Sequence, residues 1–539
     1  MSNESRRKFI VNSMKALGVL GLQNALANSV VQAISQTAFA QGVASLNSKK
    51  KYIYLSLDGA PPRWFFDIPL TPKGSSDYYP TNNIIGNYIT KDGDSVLLKN
   101  NPWKDPSSGY YLPPVWGSNP NSGNGEFTNL SGHLYFWRGV DMEIDNHPVT
   151  RMRNQAPTIG GLSIAGRLAE KSGYPLPAIV SGSIGDAFRA EKIVTPITVT
   201  HGGTTATNNS IVTALNYVSG KAPINDALLK QSLQQFEVYA KENGIMGYGV
   251  MEAKDKADAM IVEGVKKFTD QWSTTFNKYN VLVKKAITDS KNRDKIILAQ
   301  NVPNPYLTNN ADARMTRTIS GSNNVPATVA NIQDLVDDSS NVAEMAAQFA
   351  AMEILLVNEL TSICTFSLPG AVMNGVRGDT GAMRFNMTTD QHNIGTLAST
   401  YVTSMYYRAL AACLDELAGI LSRNRMFEDT IIQIGSEFGR NPREDQSGAD
   451  HQTLAGSALL ISGSFKETRV IGNLTTTTRG GYQGFTGAGA PLASYGNQRL
   501  RVNDVVKSVC SFLSVTPVTE NGASFLNVAK NNLETKNVA

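Results

Sequence analysis

Short runs of β-branched and other apolar residues recur along the chain, and most of them end at glycine, proline or acidic residues. Six such runs have the length and composition of buried strands, at residues 51–58, 134–140, 178–180, 363–368, 431–434 and 459–461. Apolar residues at helical spacing lie between or after them, over 159–170, 341–360, 394–422 and 503–513. Strands that alternate with helices predict an α/β fold with a mostly parallel central sheet and helices on both faces.

Three regions depart from this alternation. Residues 71–132 are dense in Gly, Pro, Ser, Asn and Tyr, which predicts a loop-rich insertion of the kind that often forms a lid. Residues 226–290 have helical patterning, chiefly over 251–267 and 272–289, and predict a helical insertion or cap over the sheet. The Thr- and Gly-rich residues 475–489 predict a loop.

The first 40 residues predict a twin-arginine signal peptide. The sequence S-R-R-K-F-I at 5–10 precedes a mildly apolar stretch at 16–22, and Ala-Phe-Ala at 38–40 offers a cleavage site. An ordinary amphipathic N-terminal helix is the alternative interpretation. Export would leave a mature domain of residues 41–539 in the periplasm or secreted, with the twin-arginine export machinery as a partner. No later apolar run reaches the roughly 18 residues that a transmembrane helix needs.

Composition narrows the classes of partner. The formal net charge is +4, and the leader supplies most of it through Arg6, Arg7, Lys8 and Lys15 against Glu4. The rest of the chain is near neutral and has no basic stripe, so we expect no nucleic-acid partner. The three cysteines are far apart in the sequence and predict core residues instead of a disulfide framework.

Side chains of the metal-ligand type follow or precede several predicted strands. In an open α/β sheet, the loops at the carboxyl ends of the strands hold the ligands. Zinc favours histidine nitrogens, whereas Mg²⁺, Mn²⁺ and Ca²⁺ prefer oxygens. The alternative interpretation is that these side chains have structural roles only: an aspartate that begins a turn, a glutamate on the surface and histidines that pack in the core. The candidate ligands are Asp58, Asp390, His392, Glu437, Asp450 and His451.

This order of residues resembles the alkaline phosphatase and sulfatase superfamily. The sequence is more closely similar to an exported family within it, the domain of unknown function DUF1501. The resemblance rests on S-E-F-G-R-N-P at 436–442, the Asp-His pair at 450–451 and D-Q-H at 390–392. It extends over residues 341–513 and includes 51–58 in part. It implies an alkaline-phosphatase-like three-layer sandwich.

The resemblance also implies roles for particular residues. Asp58 and Glu437 would hold one divalent cation. The other cation would be held by Asp390, His392 and His451. Two such cations can clamp the attacking and leaving oxygens of a phosphoryl group.

The candidate catalytic residues are less regular. They are His147, Thr150 and Arg440, and Thr158 is a further hydroxyl near the expected nucleophile. Where relatives tend to have Ser-His, this chain has Asn146-His147. Glu437-Phe438 replaces the usual Asp-His pair, so one expected ligand is missing. The sulfatase signature C-x-P-x-R is absent at all three cysteines, which excludes formylglycine sulfatase chemistry.

Two functions remain open from the sequence. The first is a metal-dependent hydrolase of a phosphoester in a small-molecule or envelope substrate. The second is a catalytically degenerate relative that acts as a periplasmic binding or structural envelope protein. An exported redox protein has only the leader in its favour, because no dinucleotide fingerprint, haem motif or iron–sulfur cysteine pattern occurs.

Overall fold

The computed structural model describes residues 49–68, 103–117, 127–199, 207–213, 250–292 and 342–526, with short gaps inside several of these ranges. The predicted signal peptide, residues 69–102 of the loop-rich region and most of 226–249 lie outside the described residues. So does segment 388–395, which contains Asp390 and His392.

Eight strands form the sheet at the centre of the described chain: β1 (Lys51–Leu57), β2 (Leu134–Val140), β3 (Ile179–Ser181), β4 (Ile197–Val199), β5 (Ile363–Leu368), β6 (Thr430–Ser436), β7 (Gly456–Ile461) and β8 (Arg469–Ile471). Their order in the sheet is β8-β2-β7-β6-β1-β5-β3-β4. Neighbouring strands are parallel, except that β7 runs antiparallel to both β6 and β2. The expectation of an α/β protein with a largely parallel sheet is therefore confirmed.

Helices pack against both faces of this sheet. The side chains of β1 point alternately to the two faces of the sheet. Ile53, Leu55 and Leu57 belong to the hydrophobic core on one face, and Tyr52 and Tyr54 belong to the core on the other. The helices are α1 (His147–Arg153), α2 (Ile164–Ala169), α3 (Val250–Asn292), α4 (Val342–Val357), α5 (Thr396–Arg423) and α6 (Val502–Leu513). Helices α3, α4 and α5 contribute to the first core, and α2 and α6 to the second.

Smaller elements surround the sheet. Four antiparallel strand pairs are Trp103–Lys104 with Tyr111–Leu112, Ala371–Gly378 with Gly381–Met387, Gly439–Pro442 with Ala449–Gln452, and Leu474–Thr477 with Gly484–Gly489. Short 3₁₀ turns occupy Pro114–Trp116, Phe427–Asp429, Thr453–Ala455 and Ala493–Tyr495. The third strand pair, called the site hairpin below, connects β6 to β7.

Several sequence predictions differ from the structure. Helix α3 is continuous, because residues 268–271 contain no Gly or Pro and Phe268 and Trp272 keep its buried stripe. Helix α2 begins at Ile164, where the Ser163 side chain caps it, and not at residue 159. The predicted loop 475–489 contains a strand pair instead.

A buried ionic cluster ties the segment after β1 to strand β2. Arg63 Nε donates to Asp67 Oδ1 at 3.0 Å, and Arg138 Nε lies 3.6 Å from Asp67 Oδ2. Arg63 Nη1 also donates to the Ala455 carbonyl at 3.0 Å. All three charged side chains are at most 2% exposed, so their charges depend on one another for compensation.

In the part of the chain that the structure describes, no helix combines the length and the apolar character needed to cross a membrane.

Candidate metal and catalytic site

The sheet topology brings three strand ends to one edge. Because β1, β2 and β6 run in the same direction, their carboxyl ends lie together, and the antiparallel β7 starts there. Leu57 of β1 pairs with Ser436 of β6, so the next residues along these strands, Asp58 and Glu437, are neighbours. This edge is where an α/β sheet ordinarily holds its ligands.

Helix α1 follows β2 and lies over this edge. Asn146 caps the helix, since its side chain accepts a hydrogen bond from the Val149 backbone N–H. His147 and Arg151 are one helical turn apart and therefore share a face of α1. Arg151 Nη1 donates to Asp58 Oδ2 at 2.8 Å, and Arg151 Nε lies 3.4 Å from Glu437 Oε1.

Glu437 is the buried centre of the site. Its side chain is 1% exposed, and Oε2 accepts a hydrogen bond from His147 Nδ1. With a carboxylate on Nδ1, the proton of a neutral His147 is placed on that nitrogen. Asp58 is more exposed, and its Oδ1 accepts a hydrogen bond from Ser56 Oγ at 2.7 Å.

The site hairpin contributes a second imidazole. His451 Nδ1 hydrogen-bonds Asp145 Oδ1, a residue in the loop between β2 and α1. The rings of His147 and His451 are perpendicular, with centroids 4.7 Å apart. Phe438 is fully buried and contacts both imidazoles, with ring centroids 4.7 Å from His147 and 4.0 Å from His451.

Burial lowers the pKa of His451 below its ordinary value of 6.5, and the hydrogen bond to Asp145 opposes this shift. The positive charge of Arg440 lowers the same pKa further. His451 is therefore neutral at pH 7, which is the form that binds metal ions or accepts a proton.

The structure assigns Arg440 and Thr150 to positions that do not favour a catalytic role. Arg440 Nε donates to the Ala60 carbonyl at 2.8 Å and Nη2 to the Gly59 carbonyl at 2.6 Å. This buried guanidinium joins the site hairpin to the turn after Asp58. The Thr150 hydroxyl is fully buried and donates to the Asn146 carbonyl at 2.6 Å, so it is not presented as a nucleophile.

The other site residues predicted from the sequence do not join the two carboxylate–histidine pairs in the described structure. Thr158 is exposed in a turn beyond α1. Asp450 is exposed and opposes Asn441 in the site hairpin, whereas the neighbouring His451 opposes Arg440. Successive residues of a strand point to opposite faces, so Asp450 and His451 do not converge on one ion. Asp390 and His392 lie outside the described residues and stay predictions.

Two residues of the site were missed from the sequence. Arg151 has a sequence signal, because it lies four residues after His147 and shares its face in any helix that begins there. Asp145 lies two residues before His147, but its partner is 306 residues away in the chain. No local pattern predicts that pairing.

The arrangement has the donor types that a divalent cation requires. Among the described residues, no group of three or more His, Cys, Asp and Glu side chains is arranged to hold a metal ion. The two imidazoles nevertheless have the environment of ligating histidines, because each Nδ1 is held by a carboxylate. Metal-binding histidines are usually oriented in this way, with the other ring nitrogen on the metal.

The described chain is thus a mixed α/β protein with two carboxylate–histidine pairs at the carboxyl edge of a largely parallel sheet. Residues 377–481 match the model of the family described as "Protein of unknown function (DUF1501)". The matched segment, which is similar to that family, includes α5, β6 and the site hairpin. No curated protein matches the chain.

Proposed function

We propose that the chain is an exported, metal-dependent hydrolase of phosphoesters, built on an alkaline-phosphatase-like α/β fold. The observation that carries the proposal is the pair of carboxylate-oriented imidazoles, His147 with Glu437 and His451 with Asp145, whose rings are 4.7 Å apart. Three segments of the chain meet to build it, the start of α1, the end of β6 and the site hairpin. A purely structural contact between helix and hairpin would not require two histidines, each oriented by its own carboxylate.

His451 is the described residue best suited to hold the cation. Its Nδ1 is engaged by Asp145, which leaves Nε2 as the nitrogen directed away from that carboxylate. Asp390 and His392 would complete the ligand set, as the resemblance implies. A bound divalent cation would polarise a phosphoryl oxygen and lower the pKa of a bound water.

His147 is suited to general acid–base chemistry. Glu437 fixes its tautomer and orientation, as a buried carboxylate does for a catalytic imidazole. In the proposed reaction, His147 Nε2 takes a proton from water as the water oxygen bonds to phosphorus. The bond from phosphorus to the ester oxygen breaks, and that oxygen takes the proton from His147. The products are an alcohol and a phosphate that carries one ester group fewer.

Water, and not a side chain, is the proposed nucleophile. The residue before His147 is Asn146, whose side chain caps α1 and has no nucleophilic oxygen. Thr150 donates its hydroxyl proton within the same helix. Direct attack by water therefore fits these residues better than a covalent intermediate.

Export is part of the proposal and rests on the leader. The S-R-R-K-F-I sequence at 5–10 and the Ala-Phe-Ala sequence at 38–40 support transport by the twin-arginine route. That route carries folded chains, so a cation could be bound before export.

The test combines metal analysis with turnover. The purified mature chain would be assayed on 4-nitrophenyl phosphate and bis(4-nitrophenyl) phosphate, with its metal content measured by mass spectrometry. We expect His451→Gln to lose metal and activity together. His147→Gln should keep the metal and lose turnover by roughly 100-fold or more.

His133→Gln is a matched control. His133 precedes β2 at the opposite edge of the sheet, where its Nδ1 hydrogen-bonds the Phe465 carbonyl at 2.7 Å. We expect it to keep both metal and activity. Turnover that survives in both site variants and in a metal chelator would refute the proposal.

The second candidate is a binding or structural envelope protein derived from a hydrolase. The buried Thr150 hydroxyl and the missing serine at Asn146 favour it. It predicts no turnover on a broad panel of phosphate, sulfate and carboxylate esters, even with stoichiometric metal bound. Hydrolysis of any panel member at the site would exclude it.

A further inference from the structure

Protein groups contact all four oxygens of the carboxylate pair Asp58–Glu437, three of them through hydrogen bonds. Ser56 Oγ contacts Asp58 Oδ1, and Arg151 Nη1 contacts Asp58 Oδ2 at 2.8 Å. His147 Nδ1 donates to Glu437 Oε2, and Arg151 Nε lies 3.4 Å from Glu437 Oε1. Three of the four carboxylate oxygens therefore accept a hydrogen bond, and the fourth, the buried Glu437 Oε1, lies in an ion pair with Arg151 without a hydrogen bond among the described residues.

Arg151 occupies the place between the two strand ends where a shared cation would sit. Its side chain is 15% exposed, and Glu437 is 1% exposed, so solvent screens their attraction weakly. A guanidinium cannot lose its proton in a protein, so its charge is permanent. A divalent cation at the same carboxylates would meet this positive charge at close range.

The position of Arg151 is fixed by the start of helix α1. The Asn146 cap and a proline in the first turn set where this helix begins. His147, one turn before Arg151, is anchored to the same Glu437. The helix therefore presents the guanidinium to both carboxylates from a rigid support.

We propose that Arg151 is the resident cation of the Asp58–Glu437 pair and excludes a metal ion from it. The residues thus do not fit the cation that the resemblance implies at this pair. Among the described residues at this edge of the sheet, a metal ion is then confined to the side of His451. This inference concerns the same site as the proposed hydrolase but does not depend on hydrolysis.

The experiment compares the number of Zn²⁺ ions bound per chain, measured by titration calorimetry and mass spectrometry. Arg151→Met removes the guanidinium and keeps a long side chain. We expect it to bind one more Zn²⁺ than the wild type. The double variant Arg151→Met/Glu437→Gln should return to the wild-type number, because the vacated carboxylate is gone.

Arg153→Met is the matched control on the same helix. Arg153 pairs with Glu143, whose side chain is 36% exposed at the rim. Its loss should leave the Zn²⁺ number unchanged. Thermal unfolding supplies a second measurement, since Zn²⁺ should raise the midpoint of Arg151→Met more than that of Arg153→Met.

The outcomes separate this inference from the proposed function. A wild type without Zn²⁺ and an Arg151→Met variant with one ion would support the inference and refute a Zn²⁺-dependent hydrolase. A folded Arg151→Met that gains no ion would overturn the inference. If Arg151→Met does not fold, the number of Zn²⁺ ions bound by Asp58→Asn is compared with that of the wild type instead. An unchanged Zn²⁺ number supports the inference, and the loss of an ion overturns it.

Discussion

The Arg440 side chain links the site hairpin to the turn that carries Asp58, and replacing it tests how the site is held together. Arg440 is 2% exposed. Gly59 and Ala60, which accept its hydrogen bonds, have positive φ values of 83° and 51°. A left-handed alanine costs energy and needs contacts from outside the turn. Arg440→Met removes those contacts and keeps most of the apolar stem.

The expected loss of stability follows from the two hydrogen bonds. A hydrogen bond from a charged donor is worth about 1.5–3 kcal/mol, and a buried acceptor left unsatisfied adds to the loss. Packing of the methionine against Phe438 recovers part of it. We therefore expect Arg440→Met to lower the free energy of unfolding by about 3 kcal/mol. Arg440→Lys should lose less, because an ammonium keeps the charge but not both donor directions.

Urea denaturation followed by tryptophan fluorescence measures this difference. Arg423→Met is the control, since Arg423 is 63% exposed and pairs with Glu416 at 3.6 Å. An exposed pair of this kind contributes roughly 0–1 kcal/mol. If Arg440→Met is no less stable than Arg423→Met, the hairpin is not held by these hydrogen bonds. Loss of activity in such a stable variant would restore the catalytic role for Arg440.

Three further predictions concern pH, charge and packing. Because burial lowers the pKa of His451 below 6.5, the unfolded chain binds a proton at this residue more readily than the folded chain. The free energy of unfolding should therefore be highest above about pH 6.5 and fall as the pH is lowered. In urea titrations, His451→Gln should lose less of its free energy of unfolding on acidification than the wild type. Asp67→Asn leaves two buried guanidiniums without their carboxylate, and we expect a loss of about 3–5 kcal/mol in urea denaturation or a failure to fold. Gly435→Ala places a methyl group 2.9 Å from the Asn154 side chain and should cost about 1–3 kcal/mol, whereas an unchanged denaturation midpoint would show that Asn154 can move aside.

Strands were predictable from the sequence where apolar residues form a continuous run. Strands β2 and β5 have the predicted bounds, and β1 differs by one residue, because a strand buried on both faces is apolar throughout. The sequence also placed polar residues at the ends of β1 and β6. It could therefore predict which edge of the sheet carries the candidate site.

Helix α1 shows what the sequence could not reveal. Its seven residues, H-P-V-T-R-M-R, have no apolar stripe, and so short a helix depends on its cap and on tertiary contacts. The site contacts of this helix join residues far apart in the chain, such as His147 with Glu437 at a separation of 290 residues. Such pairings follow from the order of strands in the sheet, which local periodicity does not determine.

The central claim is that His147 and Glu437 form one functional unit at the carboxyl edge of the sheet. A double-mutant cycle tests it most directly, with urea stabilities measured for His147→Ala, Glu437→Gln and the double variant. The observed hydrogen bond predicts a coupling free energy of about 1–3 kcal/mol. Additive effects, with coupling below about 0.5 kcal/mol, would mean that the two residues do not interact in solution and would contradict the account.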